Sequence, residues 1–287
     1  MKCVLCIPTR NTARFLDVIF RNIYTLKSSF SEFIVCFFYD TSSDNTLSKL
    51  QSFQAEFGVD KCIILINDEP LLHFRTHRIA HARNKLVEFI RVSHPDSEYF
   101  IMMDSDDVCS FQIDSNVLNE HLLMDNWDSL SFNRSGLTKE FENYDIWALQ
   151  FEPFIHHCHG YGADHTGYSD VSLVGIMRDS ITTILNNLKD GELFECYSAF
   201  NGIAVYRTPK FLDVLYDGVT QKYFSDEELD KMLVLFKERY GKEVTIKSEV
   251  HPDHGGGPQN CEHIGFHINA IRKNNARIMI SGKKIFF

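Results

Sequence analysis

Tyr99-Phe100-Ile101-Met102-Met103-Asp104-Ser105-Asp106-Asp107 (YFIMMDSDD) is an apolar run that ends abruptly in carboxylates. A short, wholly apolar run bounded by turn residues reads as a strand buried on both faces. Upstream, the same grammar recurs three times. Val4 to Pro8 is followed by an amphipathic stretch from Thr12 to about Leu26. Phe33 to Tyr39 (FIVCFFY) closes on Asp40-Thr41-Ser42-Ser43-Asp44-Asn45 and precedes a helical pattern from about Asn45 to Phe57. Lys61 to Ile66 then leads to Thr76–Val92, where Ile79, Ala82, Leu86 and Ile90 form one stripe. Buried strands alternating with amphipathic helices predict an α/β fold with a mainly parallel sheet covered on both sides. Ligands of such sheets bind beyond the carboxyl ends of the strands. Those ends carry Thr9-Arg10-Asn11, Asp40-Thr41, Asp68-Glu69 and Asp104 to Asp107, all polar.

The second half of the chain is less regular. Asn201 to Tyr206 reads as a strand, and Asp226–Tyr240 and Glu262–Asn274 as helices. His156 to Tyr168 and His251 to Pro258 read as loops. No internal repeat, low-complexity tract or long linker divides the chain, so one α/β domain with an elaborated C-terminal part is expected. The 287 residues are 44% hydrophobic and 24% charged, which is ordinary globular composition. Lys plus Arg number 29 against 39 Asp plus Glu, a net charge of −10 without a basic run. Such a chain is a poor binder of nucleic acid or anionic membrane by bulk charge. A phosphate-bearing ligand therefore needs a local site, with a bound cation. No apolar run reaches membrane-span length, and the opening MKCVLCIPTR has no signal-peptide h-region. The eight cysteines are scattered, several within strand-like runs, which suits buried thiols in a reducing compartment. A soluble, cytoplasmic protein is the expectation.

Asp104 and Asp106 point the same way while the chain stays extended. Crowded carboxylates repel unless a cation lies among them, and hard divalent ions such as Mg²⁺ or Mn²⁺ suit oxygen donors. An acidic turn capping the next element is the plain alternative. An EF-hand loop fits poorly because Ser or Cys stands where its sharp-turn glycine belongs. A haloacid-dehalogenase-type phosphatase, with Asp104 as nucleophile and Asp106 as acid/base, fits the local D-x-D-x-V pattern. That family usually opens its core domain with this strand, whereas three strand–helix units precede it here. A nucleotide-sugar transferase, whose D-x-D cation binds the donor pyrophosphate, also accounts for the polar upstream strand ends. A non-catalytic nucleotide- or sugar-binding protein is the remaining class.

The order IPTRNTARFL, FFYDTSSDNT, RIAHARNKL and FIMMDSDD resembles the nucleotide-binding half of GT-A glycosyltransferases. The segments from Trp127 to Asn133, Tyr144 to Leu149, Phe200 to Tyr206 and Cys261 to His267 resemble the capsule-associated α-1,3-mannosyltransferase-like group. That group includes fungal enzymes and large-DNA-virus relatives, and the missing membrane anchor fits a viral or cytosolic member, acting in the host cytoplasm if viral. The resemblance implies a single GT-A (Rossmann-like) domain over 1–287, with a nucleotide-binding half, 1–110, and an acceptor-binding half, 111–287. It implies a metal-dependent transferase moving a hexose from a nucleoside diphosphate sugar to a hydroxyl acceptor, a glycan or glycoprotein. Carried over, Pro8, Thr9 and Arg10 border the nucleotide, Asp40 contacts base or ribose, and Arg83 lies near the nucleotide. Asp104 and Asp106 hold ribose and metal (Mn²⁺ or Mg²⁺), and His267 or His263 completes the metal site, His267 being favoured.

An inverting transferase needs a carboxylate base, for which Asp145, Glu192, Glu195 and Glu262 are available, with Asp107 of the cluster as a further catalytic carboxylate. A retaining one needs none if the departing phosphate takes the proton, and the resemblance to the mannosyltransferase-like group leans towards retention. Trp127, Tyr144 and Trp147 suit stacking on an acceptor sugar, with core packing as the alternative. His156-His157-Cys158-His159 could suggest zinc with His165 or Cys196, but adjacent ligands converge poorly, and a loop over the acceptor site fits better. The glycines of Asp253-His254-Gly255-Gly256-Gly257 permit close approach to a phosphate, or simply make a turn.

Overall fold

The computed structural model describes residues 1–134, 144–156, 173–219, 221–243 and 259–287. His157, Cys158, His159, His165 and the Asp253–Gly257 loop lie outside the described residues. β1 (Lys2–Thr9) is the centre of the first half of the sheet. It pairs in parallel with β2 (Glu32–Tyr39) on one side and with β4 (Tyr99–Met103) on the other, while β2 pairs in parallel with β3 (Cys62–Ile66). The connections are α1 (Leu16–Lys27), α2 (Thr46–Phe57) and α3 (Arg75–Ser93). β1 splits its side chains as a buried strand should. Val4 and Cys6 face a core shared with Leu86 and Ile90 of α3, whereas Cys3, Leu5 and Ile7 face α1 and α2. The amphipathic stretch expected from Thr12 becomes helical only at Leu16. Asn11 has φ of 53°, and Thr12 and Ala13 donate their N–H groups to Thr46 and Asp44, so these residues brace the β2–α2 connection instead.

Beyond β4 the sheet continues as β7 (Ile203–Arg207), β5 (Ser129–Asn133), β8 (Ile278–Lys284) and β6 (Leu193–Cys196), giving the order β3-β2-β1-β4-β7-β5-β8-β6. β7 is antiparallel to both β4 and β5, and β6 is antiparallel to β8. Among the described residues the sheet is therefore mixed, with four parallel pairings and three antiparallel ones. Apolar periodicity reports burial and not direction, so the Asn201–Tyr206 run could not reveal that it returns against β4. α4 (Ser115–Leu122) packs on the α1/α2 side, and α5 (Leu173–Asn187) and α7 (Glu262–Asn274) on the α3 side. α6 (Asp226–Tyr240) is set by its sequence. Ser225 and Glu228 form a reciprocal capping box, and Gly241 terminates the helix at φ 66°. The seven cysteines among the described residues are buried free thiols. No helix among those residues is long and apolar enough to cross a membrane.

Candidate functional site

The ends of β1, β2 and β4 are fastened to one another by short polar bridges. Ser105 Oγ donates to the Pro8 carbonyl at 2.8 Å, and Asp104 N donates to the Gly202 carbonyl at 2.8 Å. Gly202 has φ of 85°, and a Cβ there would lie 2.4 Å from Val108, so this approach requires glycine. Asp106 caps a short 3₁₀ turn, 107–109, accepting from Val108 N at 3.2 Å. At the end of β2, buried Asp40 accepts from Asn67 Nδ2 at 2.9 Å and from Thr41 N at 3.0 Å. Arg10 Nε donates to the Thr41 carbonyl at 3.2 Å.

These ends open into a cavity of about 360 Å³. Its lining comprises Pro8 to Thr12, Phe38, Asp40, five residues of α3 (Arg75, Arg78, Ile79, Ala82 and Arg83), Asp104 to Asp106, Asp145, Trp147, Phe200 and Cys261 to His263. Two features set its electrostatics. Arg83, buried in the floor, pairs with Asp104 at 2.7 Å and with Glu262 at 2.8 Å. Its guanidinium lies 4.6 Å from the Phe200 ring centroid. Burial alone would lower its pKa, but Glu262 and Asp104 more than offset this and hold it above the ordinary arginine value. Nearby, burial and then repulsion from Asp104 and Asp107 push the Asp106 carboxyl up to about 7. Asp145 is open to the cavity yet walled by protein. Loss of solvation, then Asp104 and Glu262, raise it to about 6 against the backbone N–H of Trp147 that it accepts at 3.0 Å.

Three further arginines, Arg10, Arg75 and Arg78, line the same cavity. Arg78 is held below the ordinary arginine range by burial and by repulsion from Arg10 and Arg75, and its Nη1 donates to the carbonyls of Leu72 and His73, both at 2.8 Å. Arg75 and Arg78 were not anticipated. They stand three apart on the first turn of α3, on the face that continues into Ile79, Ala82 and Arg83, and that spacing was the available signal.

The other expected residues divide. Pro8, Thr9, Arg10, Asp40, Arg83, Asp104, Asp106, Asp145, Trp147, Glu262 and His263 all line the cavity. His267 does not. It is fully buried, with Nδ1 3.0 Å from Ser198 Oγ and Nε2 3.1 Å from the Tyr206 hydroxyl, and burial lowers it to about 3. Both ring nitrogens are used inside the core, so the preference for it as a metal ligand is corrected. Trp127 is also fully buried, against Tyr99 and Arg207, and donates Nε1 to the His121 carbonyl at 3.0 Å. Tyr144 is buried with its hydroxyl 2.5 Å from Ser131 Oγ. Neither ring is presented to the cavity, so of the aromatic trio only Trp147 is placed to meet a ligand there. Asp107 is exposed, opens the 3₁₀ turn, and does not line the cavity. His263 is buried and stacked on Phe200 at 3.8 Å, its pKa driven well below 6.5 by burial and then by Arg83.

Among the described residues, no three His, Cys, Asp or Glu side chains converge closely enough to hold an ion by themselves. Asp104 and Asp106 nonetheless present hard oxygen donors where negative charge is in excess. They fit a divalent cation whose shell is completed by a ligand's own oxygens, and do not fit one held by protein alone.

No protein-family model and no curated protein matches the sequence. Among solved structures, S. aureus TarS 1-349 in complex with UDP-GlcNAc is similar with a TM-score of 0.48 and 15% identity, covering 100% of this chain and 57% of that one. The mannosyltransferase PcManGT from Pyrobaculum calidifontis, in complex with GDP-Man and Mn²⁺, gives 0.39 and 14% over 74% of this chain and 48% of that one. Glucosyl-3-phosphoglycerate synthase from Mycobacterium tuberculosis, with Mn²⁺, UDP and phosphoglyceric acid, gives 0.40 and 11% over 86% and 71%. This chain spans between 33% and 57% of the TarS chains it matches. Likenesses of this degree concern the course of the chain and not its activity.

Proposed function

We propose that this chain is a cation-dependent glycosyltransferase that moves a hexose from a nucleoside diphosphate sugar to a hydroxyl acceptor, a glycan or protein-linked sugar. The observation that carries this reading is one cavity, at the shared ends of β1, β2 and β4, lined both by the arginines Arg10, Arg75, Arg78 and Arg83 and by carboxylates that include Asp104 and Asp106. An acidic chain can hold a diphosphate only through such a local arrangement. The nucleoside would lie along Pro8, Thr9, Arg10 and Asp40, within the 1–110 half. Asp104 and Asp106 would hold the cation, with His263 as a neutral nitrogen donor on the same lining. A divalent cation bound there would neutralise charge on the departing diphosphate. The 111–287 half would receive the acceptor beside Asp145 and Trp147.

Asp145 suits the base of an inverting transfer. With a carboxyl near 6 it is ionised at neutral pH and basic enough to take a hydroxyl proton in the transition state. Glu262 is committed to Arg83 and suits that role less. Asp104 is a poor phosphatase nucleophile for the same reason, since a buried guanidinium 2.7 Å away stabilises its carboxylate in place. The resemblance to the mannosyltransferase-like group makes GDP-mannose the first donor to try. A panel of nucleotide sugars with Mn²⁺, followed by release of nucleoside diphosphate, tests the reading. One donor turned over in a Mn²⁺-dependent way supports it. Failure of every nucleotide sugar in the panel to bind or to turn over would refute it.

A further inference from the structure

Four arginines line the cavity, and they differ in what their guanidinium groups already hold. Arg83 is taken by Asp104 and Glu262, Arg78 by two carbonyls of the preceding loop, and Arg10 by the Thr41 carbonyl. Arg75 is exposed, and among the described residues its side chain has neither a hydrogen bond nor an ion pair. Its backbone, by contrast, is firmly seated. The next residue, Thr76, is fully buried and donates Oγ1 to the Gly218 carbonyl at 2.9 Å. Gly218 approaches so closely that a Cβ on it would lie 2.4 Å from the Thr76 carbonyl oxygen. The root of Arg75 is therefore fixed while its charged end is uncommitted. That end lies within electrostatic reach of both Arg78 and Asp106.

We propose that Arg75 is a catalytic residue that grips the diphosphate of the donor and stabilises the charge that develops on it as the sugar departs. This rests on the nucleotide-sugar reading above. In the transfer the bond from the anomeric carbon to the β-phosphate oxygen breaks, and its electron pair leaves on that oxygen. The acceptor oxygen bonds to the anomeric carbon and gives its proton to Asp145, or to the departing phosphate if configuration is retained. Negative charge on the leaving oxygen rises through the step, so a donor aimed there binds the transition state more tightly than the ground state. Arginine suits this role. Its planar fork can make two parallel N–H···O bonds to a phosphate, and it stays charged throughout the working pH range. An exposed arginine without a protein partner also contributes little to folding, so its removal tests function cleanly.

The test compares the wild type with Arg75→Gln and Arg75→Lys, using calorimetry with nucleoside diphosphate and with the parent nucleoside, both with Mn²⁺, alongside steady-state kinetics. Arg75→Gln should weaken nucleoside diphosphate binding about tenfold and leave nucleoside binding within about a factor of two. Its kcat should fall about a hundredfold, with partial recovery in Arg75→Lys and an unchanged Tm. Unaltered diphosphate affinity, or equal loss for diphosphate and nucleoside, would overturn the role of Arg75 while leaving the nucleotide-sugar reading in place. A wild type that binds no nucleoside diphosphate would overturn both.

Discussion

The two halves of the sheet supply the cavity in different ways. In β3-β2-β1-β4 every pairing is parallel, so the carboxyl ends share one edge and their loops are neighbours by topology. That half contributes Pro8 to Thr12, Phe38, Asp40 and Asp104 to Asp106, all within or directly after strands. In β7-β5-β8-β6 the strands run both ways, and no strand residue reaches the cavity. Asp145, Trp147 and Phe200 come from connections, and Glu262 and His263 from the first turn of α7. A parallel sheet makes a binding edge as a consequence of its topology, whereas the mixed half must deliver each polar group separately. Arg83 joins the two, reaching from α3 to the end of β4 and to α7.

The largest effect expected falls in the parallel half. Asp106→Asn should abolish Mn²⁺-dependent release of nucleoside diphosphate from the donor. The apo protein should keep its fold or melt higher, because one of three mutually repelling carboxylates is gone. Turnover unchanged at limiting Mn²⁺ would show that the edge does not hold the cation. Next in size is the tie between the halves. Arg83→Met leaves Asp104 and Glu262 without their shared cation and should cost about 3–5 kcal/mol in urea unfolding, as for other broken buried pairs. A loss below about 1 kcal/mol, the range of an exposed pair, would mean that the halves are held together without it.

Smaller again is the nucleoside contact. Asp40→Ala should weaken nucleoside diphosphate binding by about one to two orders of magnitude, with a far smaller change for pyrophosphate. Equal losses for both ligands would make Asp40 a turn residue that only accepts from Asn67 and Thr41. The least effect is on stability, from the mixed half. The Asp145 carboxyl is raised to about 6 in the folded chain, so the folded state holds its proton more tightly than the unfolded state does. The penalty is absent below the ordinary carboxylate pKa, grows as pH rises towards 6, and is complete above it. Asp145→Asn should therefore raise Tm at pH 7.5 by about a few degrees and leave it unchanged at pH 4. A gain of equal size at both pH values would mean that the charge of Asp145 is not what the cavity resists.

What could be read in the sequence follows the same division. The four parallel strands and α3 are visible because runs such as FIVCFFY and YFIMM are apolar without interruption. Asp104 and Asp106 were visible because they terminate such a run. β5 (SLSFN) and β8 (IMISGKK) carry serine, asparagine, glycine and lysine, so neither rises above the loops around it. The aromatic residues show what composition withholds. Trp127 and Trp147 look alike in sequence, yet one is sealed beneath Arg207 while the other faces the cavity. His263 and His267 share a helix, but the partners that occupy His267, Ser198 and Tyr206, come from more than sixty residues away. Arg75 differs from Arg83 only in what surrounds it, and tertiary pairing is not written in local pattern.

The most direct measurement is a crystal structure of the protein soaked with GDP and Mn²⁺, with anomalous scattering used to locate the ion. The cavity reading requires an anomalous peak bound by Asp104 and Asp106 and shared with the diphosphate, with the nucleoside against Pro8, Thr9 and Asp40 and Arg75 turned onto a phosphate. Nucleotide bound outside this cavity, or inside it with no ion at Asp106, would contradict it.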